Sequence, residues 1–131
     1  KLSYILRDFD LDGLNQRKAK IEEITKTLQQ KYGEDRIIVD IKDSYYNMKE
    51  KIEPVMYIID LAKKAMKDAD IEPKIVPIRG GTDGARISYM GIPTPNLFTG
   101  GYNFHGYYEY AVAEEMEKAK EVIINIVKNN K

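Results

Sequence analysis

The sequence predicts an α/β fold with mostly parallel strand pairing, and three observations predict it. Short runs that are apolar, or that alternate apolar and polar residues, recur along the chain. Longer stretches place apolar residues at spacings of three and four. The two kinds of stretch follow one another as β-α-β-α-β-α-β-α, the order expected of strands joined by crossover helices.

Leu2, Tyr4 and Leu6 alternate with Ser3, Ile5 and Arg7, so the first strand is expected there. Asp8-Phe9-Asp10 leaves it, and Asp10 or Asp12 can cap the helix that follows. Leu14, Ile21, Ile24, Leu28 and Tyr32 give that helix an apolar stripe, with Gly33 as its expected stop. Ile37, Val39 and Ile41 alternate with Ile38, Asp40 and Lys42 and predict a second strand. Asp43-Ser44-Tyr45-Tyr46-Asn47 has no period and reads as strand end and loop.

Pro54 suits the first turn of a second helix, whose expected buried stripe is Val55, Ile58, Ile59, Ala62, Met66 and Ala69. Pro73 ends the connection, and Ile75-Val76-Pro77-Ile78 predicts a third strand. Pro77 has no N–H to donate, which places it at a sheet edge or a strand end. The tight loop Arg79-Gly80-Gly81-Thr82-Asp83-Gly84 leads into a short helix through Met90, stopped by Gly91 and Pro93. Asn96-Leu97-Phe98 predicts the fourth strand, followed by a Gly- and Tyr-rich loop from Thr99 to Tyr108. The last helix is expected to bury Val112, Met116, Ala119, Ile123 and Val127. Its Glu114 and Glu115 lie near the N-terminus and Lys128 near the end, complementing the helix dipole. The aperiodic stretch from Ser44 to Pro54 is the expected boundary between two parts.

The chain has 131 residues, the size of one domain, with 43% hydrophobic and 32% charged residues. Lys plus Arg and Asp plus Glu are both 21, so the formal net charge is zero. That balance gives no electrostatic reason to expect nucleic acid or an anionic membrane as a partner. No apolar run approaches the ~20 residues of a membrane span, and Lys1 to Arg7 is too short and too soon charged for a signal peptide. Without cysteine there are no disulfides and no thiolate zinc ligands. A soluble, cytoplasmic protein is expected. The start inside a strand-like run, without an initiator Met, leads us to expect a piece of a longer protein.

Three segments could carry chemistry. In the loop from Arg79 to Gly84, two glycines permit a sharp turn whose backbone N–H groups face a carboxylate, phosphate or oxyanion. The plainer alternative is a strand-to-helix turn capped by Asp83. No Gly-Lys-Ser/Thr follows, so this is not a P-loop. In Asn103-Phe104-His105-Gly106-Tyr107-Tyr108-Glu109-Tyr110, His105 is the only histidine and Glu109 follows four residues later. Neutral imidazole is a good zinc ligand, although a lone histidine also serves structural roles. Zinc takes three or four protein ligands, so any further ligands would lie elsewhere. Arg7 at a strand end could clamp a carboxylate through two parallel hydrogen bonds, or pair locally with Asp8 or Asp10. Tyrosines 45, 46, 102, 107, 108 and 110 crowd two loops, where they can contact a ligand or fill an interface.

Taken in order, several of these segments resemble the peptidase T family. The likeness rests on Ile5-Leu6-Arg7-Asp8-Phe9-Asp10, Asp43-Ser44-Tyr45-Tyr46-Asn47-Met48 and Pro77-Ile78-Arg79-Gly80-Gly81-Thr82-Asp83-Gly84. It continues through Pro95-Asn96-Leu97-Phe98-Thr99-Gly100-Gly101-Tyr102-Asn103, His105 and Glu109, and so covers nearly the whole chain. The family consists of tripeptide aminopeptidases within the two-zinc exopeptidases and deacylases. The resemblance implies a catalytic α/β domain with an inserted lid domain of β-α-β-β-α-β type. Residues 1–45 would be the second half of the lid, a dimerisation-type domain, and 46–131 the C-terminal part of the catalytic domain. The remaining lid and catalytic segments would lie in an N-terminal part of the same protein, outside this chain.

By the same likeness, His105 matches a late zinc-binding histidine, Arg7 a lid arginine that binds the substrate carboxylate, and Gly81, Thr82 and Asp83 a loop lining the substrate site. Glu109 and Asn103 would support the site, the role of Glu109 being open. Two zinc ions per complete site are implied, with at most one ligand from this chain and no catalytic residue here. The chain alone is therefore expected to be inactive, with a tripeptide as the parent's substrate and a homo-oligomer as a further partnership. The rival expectations are a non-catalytic binding module using the Gly80–Gly84 loop, or a self-associating unit that buries its apolar helix faces against another copy.

Overall fold

A computed structural model of the chain describes residues 1–78 and 80–130. Its helices are α1 (Leu11–Tyr32), α2 (Lys49–Ile52), α3 (Tyr57–Lys67), α4 (Asp83–Tyr89) and α5 (Ala113–Asn129). A 3-10 turn, Glu53–Val55, joins α2 to α3. The strands are β1 (Gly101–Tyr102) and β2 (Tyr110–Ala111), paired antiparallel with Gly101 opposite Ala111 and Tyr102 opposite Tyr110. The fold is thus mixed helix and small sheet. None of the helices is long and apolar enough to cross a membrane.

The ends of α1 follow from side chains named above. Asp10 is extended (φ −126°, ψ 142°), and its carboxylate accepts from the N–H groups of Asp12 and Gly13. Gly33, at φ 101°, ends the helix with its N–H donating to the Gln29 carbonyl at 2.8 Å. Gln29 Nε2 then donates to the Ile37 carbonyl at 2.8 Å, which fixes the departing chain. The stripe expected to be buried stays largely open: Ile24 is 44% exposed and Tyr32 52%. Thr25 is the one buried residue of the helix, its hydroxyl donating to the Ile21 carbonyl.

The core lies between α3 and α5. Ala65, Ala69 and Val122 are at most 1% exposed, and Met66, Ile71, Phe98 and Ile126 pack around them. Alanines at 62, 65 and 69 recur at three and four along one face, so α5 can approach closely. Side chains of α5 satisfy the carbonyls at the end of α3: Asn125 Nδ2 donates to Ala65 O at 3.4 Å and Lys118 Nζ to Ala69 O at 3.0 Å. Lys64 Nζ donates to Asn129 Oδ1 at 2.9 Å and Asn129 Nδ2 to Asp68 at 2.8 Å. The Asn129 bond, as the largest cause, and then the Lys64–Asp68 pair hold the Asp68 carboxyl below its usual pKa.

Several expectations need correction. On α5 the face packed on α3 carries Val122 and Ile126, whereas Met116 is 52%, Ile123 54% and Val127 71% exposed. Apolar residues occur on two sides of this helix, and periodicity alone selected the wrong one. Ala65, fully buried, lies outside the stripe expected for α3, although it stands three residues after Ala62 and four before Ala69 on the same face. The aperiodic stretch after Asn47 contains α2, and Pro54 sits in the 3-10 turn rather than in the first turn of α3. The runs at 2–7, 37–41, 75–78 and 96–98 form neither helix nor paired strand among the described residues. A strand is completed by a neighbour's backbone, and these runs find no neighbour in one another. Parallel pairing is therefore not formed among the described residues; of the strands that do form, β1 lies in the loop read as Gly- and Tyr-rich and β2 just after it.

The stretch joining the two halves is tied to both. Asp43 pairs with Lys18 of α1 at 2.5 Å and accepts from the Tyr46 hydroxyl at 2.6 Å. Asn47 Nδ2 donates to the Phe9 carbonyl at 2.9 Å, and the Asn47 carbonyl accepts from the Tyr89 hydroxyl of α4 at 3.2 Å. The rings of Tyr46 and Tyr89 lie 6.0 Å apart.

Candidate functional site

The residues singled out from sequence fall into two places. The first is the loop from residue 103 to 109 between β1 and β2. It makes two turns in succession, closed by Gly106 N–H to Asn103 O at 2.8 Å and Glu109 N–H to Gly106 O at 3.2 Å. Asn103 and His105 both have left-handed backbones, at φ 54° and 64°. His105 holds the second central position of its turn, where a positive φ favours glycine. Asn103 Nδ2 donates to the Tyr108 carbonyl at 3.2 Å, and His105 N–H donates to Glu109 Oε2 at 2.9 Å. The His105 side chain is exposed, not packed into a core.

Beside this loop Phe104, Glu109, Tyr110 and Met116 line an open groove of about 400 Å³. Tyr102 and Tyr110 stack across the two strands with centroids 5.2 Å apart. The Tyr102 hydroxyl donates to Glu115 at 2.6 Å, and that carboxylate raises the tyrosine pKa. Tyr107 and Tyr108 are 95% and 78% exposed and meet edge to face. Neither is buried in an interface within this chain.

The second place is the start of α4. Arg79 lies outside the described residues. Thr82, not Asp83, is the N-cap: its backbone is extended (φ −128°) and its hydroxyl accepts from Ala85 N–H. Asn96 Nδ2 donates to the same hydroxyl at 3.2 Å. Gly84 is a close approach, since a Cβ there would stand 2.6 Å from the Thr94 carbonyl oxygen. Gly81 is another: a Cβ would stand 2.6 Å from the Tyr45 hydroxyl. Tyr45, Gly81, Thr82, Asp83 and Arg86 surround an open polar pocket of about 390 Å³. Sequence reasoning named Gly81, Thr82 and Asp83, but not Arg86 or the approach of Tyr45. A separation of 36 residues between Tyr45 and Gly81 carries no local signal.

Arg7 lies in the stretch before α1, outside any helix or strand, and is exposed. Its neighbour Asp8 is held by Arg17 Nε at 2.8 Å, a bond that is the largest cause of the lowered Asp8 pKa.

Among the described residues no group of three or more His, Asp or Glu could hold a metal ion. The donor chemistry at the loop fits a single ligand. The imidazole of His105 is open to solvent, and one oxygen of the adjacent Glu109 is engaged by the His105 backbone.

No family model matches the chain. It is 62% identical to "Peptidase T" of Geobacillus kaustophilus over 98% of its own length, which is 31% of that protein. It is 61% identical to "Peptidase T" of Bacillus licheniformis and of Clostridium perfringens, in each case over 97% of this chain and 31% of the relative. The chain thus spans about a third of the length of these curated relatives.

Proposed function

The chain is homologous to peptidase T along almost its whole length, and from that premise we propose that it is the C-terminal portion of a zinc-dependent tripeptide aminopeptidase. The parent is a cytoplasmic hydrolase that releases the N-terminal residue of a tripeptide. Residues 1–45 form the second half of its lid and 46–131 the end of its catalytic domain.

The observation that carries this reading is the exposed His105, held in a left-handed turn that is uncommon for residues other than glycine. It supplies one zinc ligand. Its other ligands come from the rest of the protein, as does the general base. Zinc, when bound, lowers the pKa of water from about 15.7 to about 7, which makes hydrolysis feasible at neutral pH. Arg7 binds the tripeptide carboxylate through its planar guanidinium. Gly81, Thr82 and Asp83 line the substrate, beside the Tyr45 phenol that stands against the Gly81 backbone. An anchor at a fixed distance from the scissile bond favours short peptides over long ones.

The test is made on the full-length protein with zinc and a tripeptide. His105→Ala is expected to release zinc and abolish hydrolysis; full zinc content and undiminished hydrolysis in that variant would overturn the reading. Arg7→Ala is expected to raise KM more than it lowers kcat. The chain by itself, given zinc and a tripeptide, is expected to release no amino acid.

A second reading, a self-associating module, draws on the exposure of Leu2 at 81%, Ile38 at 85% and Val127 at 71%. A sedimentation profile of a single monomeric species would remove it.

A further inference from the structure

We infer that Glu109 is a positioning residue, whose carboxylate locks the backbone of His105 and so fixes the root of the imidazole; this rests on the zinc-ligand reading of His105 given above. The loop from 103 to 109 is short and doubly turned, with each turn closed by its own backbone bond. In the first turn His105 stands at the second central position with a φ of 64°, a conformation that glycine usually supplies. A residue with a Cβ leaves such a conformation unless neighbouring bonds hold it there.

The left-handed turn aims the His105 N–H back across the loop. Glu109 Oε2 accepts that N–H at 2.9 Å, bridging the first turn to the end of the second. A hydrogen bond to an ionised acceptor is stronger than one between neutral groups. Relaxing His105 toward an ordinary φ would turn its N–H away from the carboxylate. Asn103 closes the other side of the loop, its side chain donating to the Tyr108 carbonyl at 3.2 Å. The imidazole therefore projects from a backbone fixed on both sides, while the ring itself stays exposed.

A groove-lining carboxylate four residues from a histidine also suggests a second metal ligand or a proton acceptor. The two roles differ in what they require. Locking the backbone requires an acceptor oxygen at the correct reach, which glutamine also offers. Ligation or proton transfer requires the carboxylate charge. Aspartate keeps the charge but is one methylene too short to reach the same N–H.

The experiment compares Glu109→Gln, Glu109→Asp and Glu109→Ala in the full-length protein, with zinc affinity and stoichiometry measured by chelator competition and elemental analysis. Supporting groups of metal ligands typically change affinity by about 10–100-fold, and a loss in that range is expected for the Asp and Ala variants. The Gln variant should bind zinc close to the unmodified protein. In parallel, the His105 backbone amide of the present chain is followed by NMR. It should be shifted downfield and slow to exchange in the unmodified and Gln forms, but not in the Asp form. Zinc loss in the Gln variant equal to that in the Asp variant would overturn the inference, as would an amide indifferent to all three changes. His105→Ala separates the two levels of the argument: full zinc content there removes the ligand reading itself, whereas the amide result bears on the lock alone. If the Ala variant does not fold, the opposite behaviour expected of Gln and Asp still decides.

Discussion

Replacing Val122 by alanine tests the packing of α5 on α3 and the choice of its buried face. Val122 is 0% exposed, against Ala65 at 0% and Ala69 at 1%. Val→Ala removes two methyl groups, and at about 0.8 kcal/mol per buried methylene this loses about 1.6 kcal/mol of transfer energy. Incomplete collapse adds about 24 cal/mol per Å³ of residual cavity. Alanine returns up to about 0.7 kcal/mol through its better helix propensity. The net expectation for Val122→Ala is a loss of about 1.5–2 kcal/mol. Val127→Ala, at a site 71% exposed, has no burial to lose and should fall within about 0.5 kcal/mol of zero or be slightly stabilising. The assay is urea unfolding of the present chain followed by far-UV circular dichroism. With a slope of about 1–3 kcal/mol per molar urea, Val122→Ala should move the midpoint by about 0.5–2 M while leaving the slope unchanged. A larger shift for Val127→Ala than for Val122→Ala would show that the sequence-derived stripe is buried after all and that the face described above is wrong.

His105→Gly should make the chain more stable than His105→Ala by about 1 kcal/mol, because only glycine relieves the left-handed backbone; equal stabilities in urea would contradict the strain at this turn. Asp10→Ala removes the carboxylate that receives two N–H groups of α1 and should cost about 1 kcal/mol, seen as lost helical signal near the first turn. In the Lys18–Asp43–Tyr46 cluster, Asp43 is lowered from 3.8 chiefly by its bond to Lys18 and then by Tyr46. The Asp43 contribution to stability is thus present above 3.8 and lost as pH falls through the depressed folded value. Lys18 is raised from 10.5 by the same pair, so its contribution is full below 10.5 and disappears as pH rises through the higher folded value. Tyr46→Phe should move the Asp43 carboxyl resonance midpoint upward in an NMR titration; an unchanged midpoint would mean that the phenol does not bear on it.

The helices other than α2 were legible because their signals are local. Asp10 and Gly33 bracket α1, Pro54 marks the turn into α3, and the Gly-Gly-Thr run precedes α4. The expected strands were read from period-two or apolar runs, but pairing is a property of two strands and lies outside either one. Residues 2–7 and 37–41 therefore read as strands yet remain without a ladder here. Choosing the buried face of α5 failed because Val122 and Ile126 compete with Met116, Ile123 and Val127 for the same periodicity. At the site, residue types pointed to His105, Glu109 and the Gly81 loop. The positive φ of His105, the cap role of Thr82 and the ring of Tyr45 above Gly81 depend on backbone geometry and long-range contact, which residue type alone does not encode.

The stitching of residues 43–47 also builds one wall of the polar pocket. Asp43 holds α1, Asn47 holds Phe9, and Tyr89 holds Asn47 from the α4 side. Tyr45 sits between these anchors with its phenol against the bare backbone at Gly81, so the same few residues that join α1 to α4 furnish the aromatic rim of that cavity.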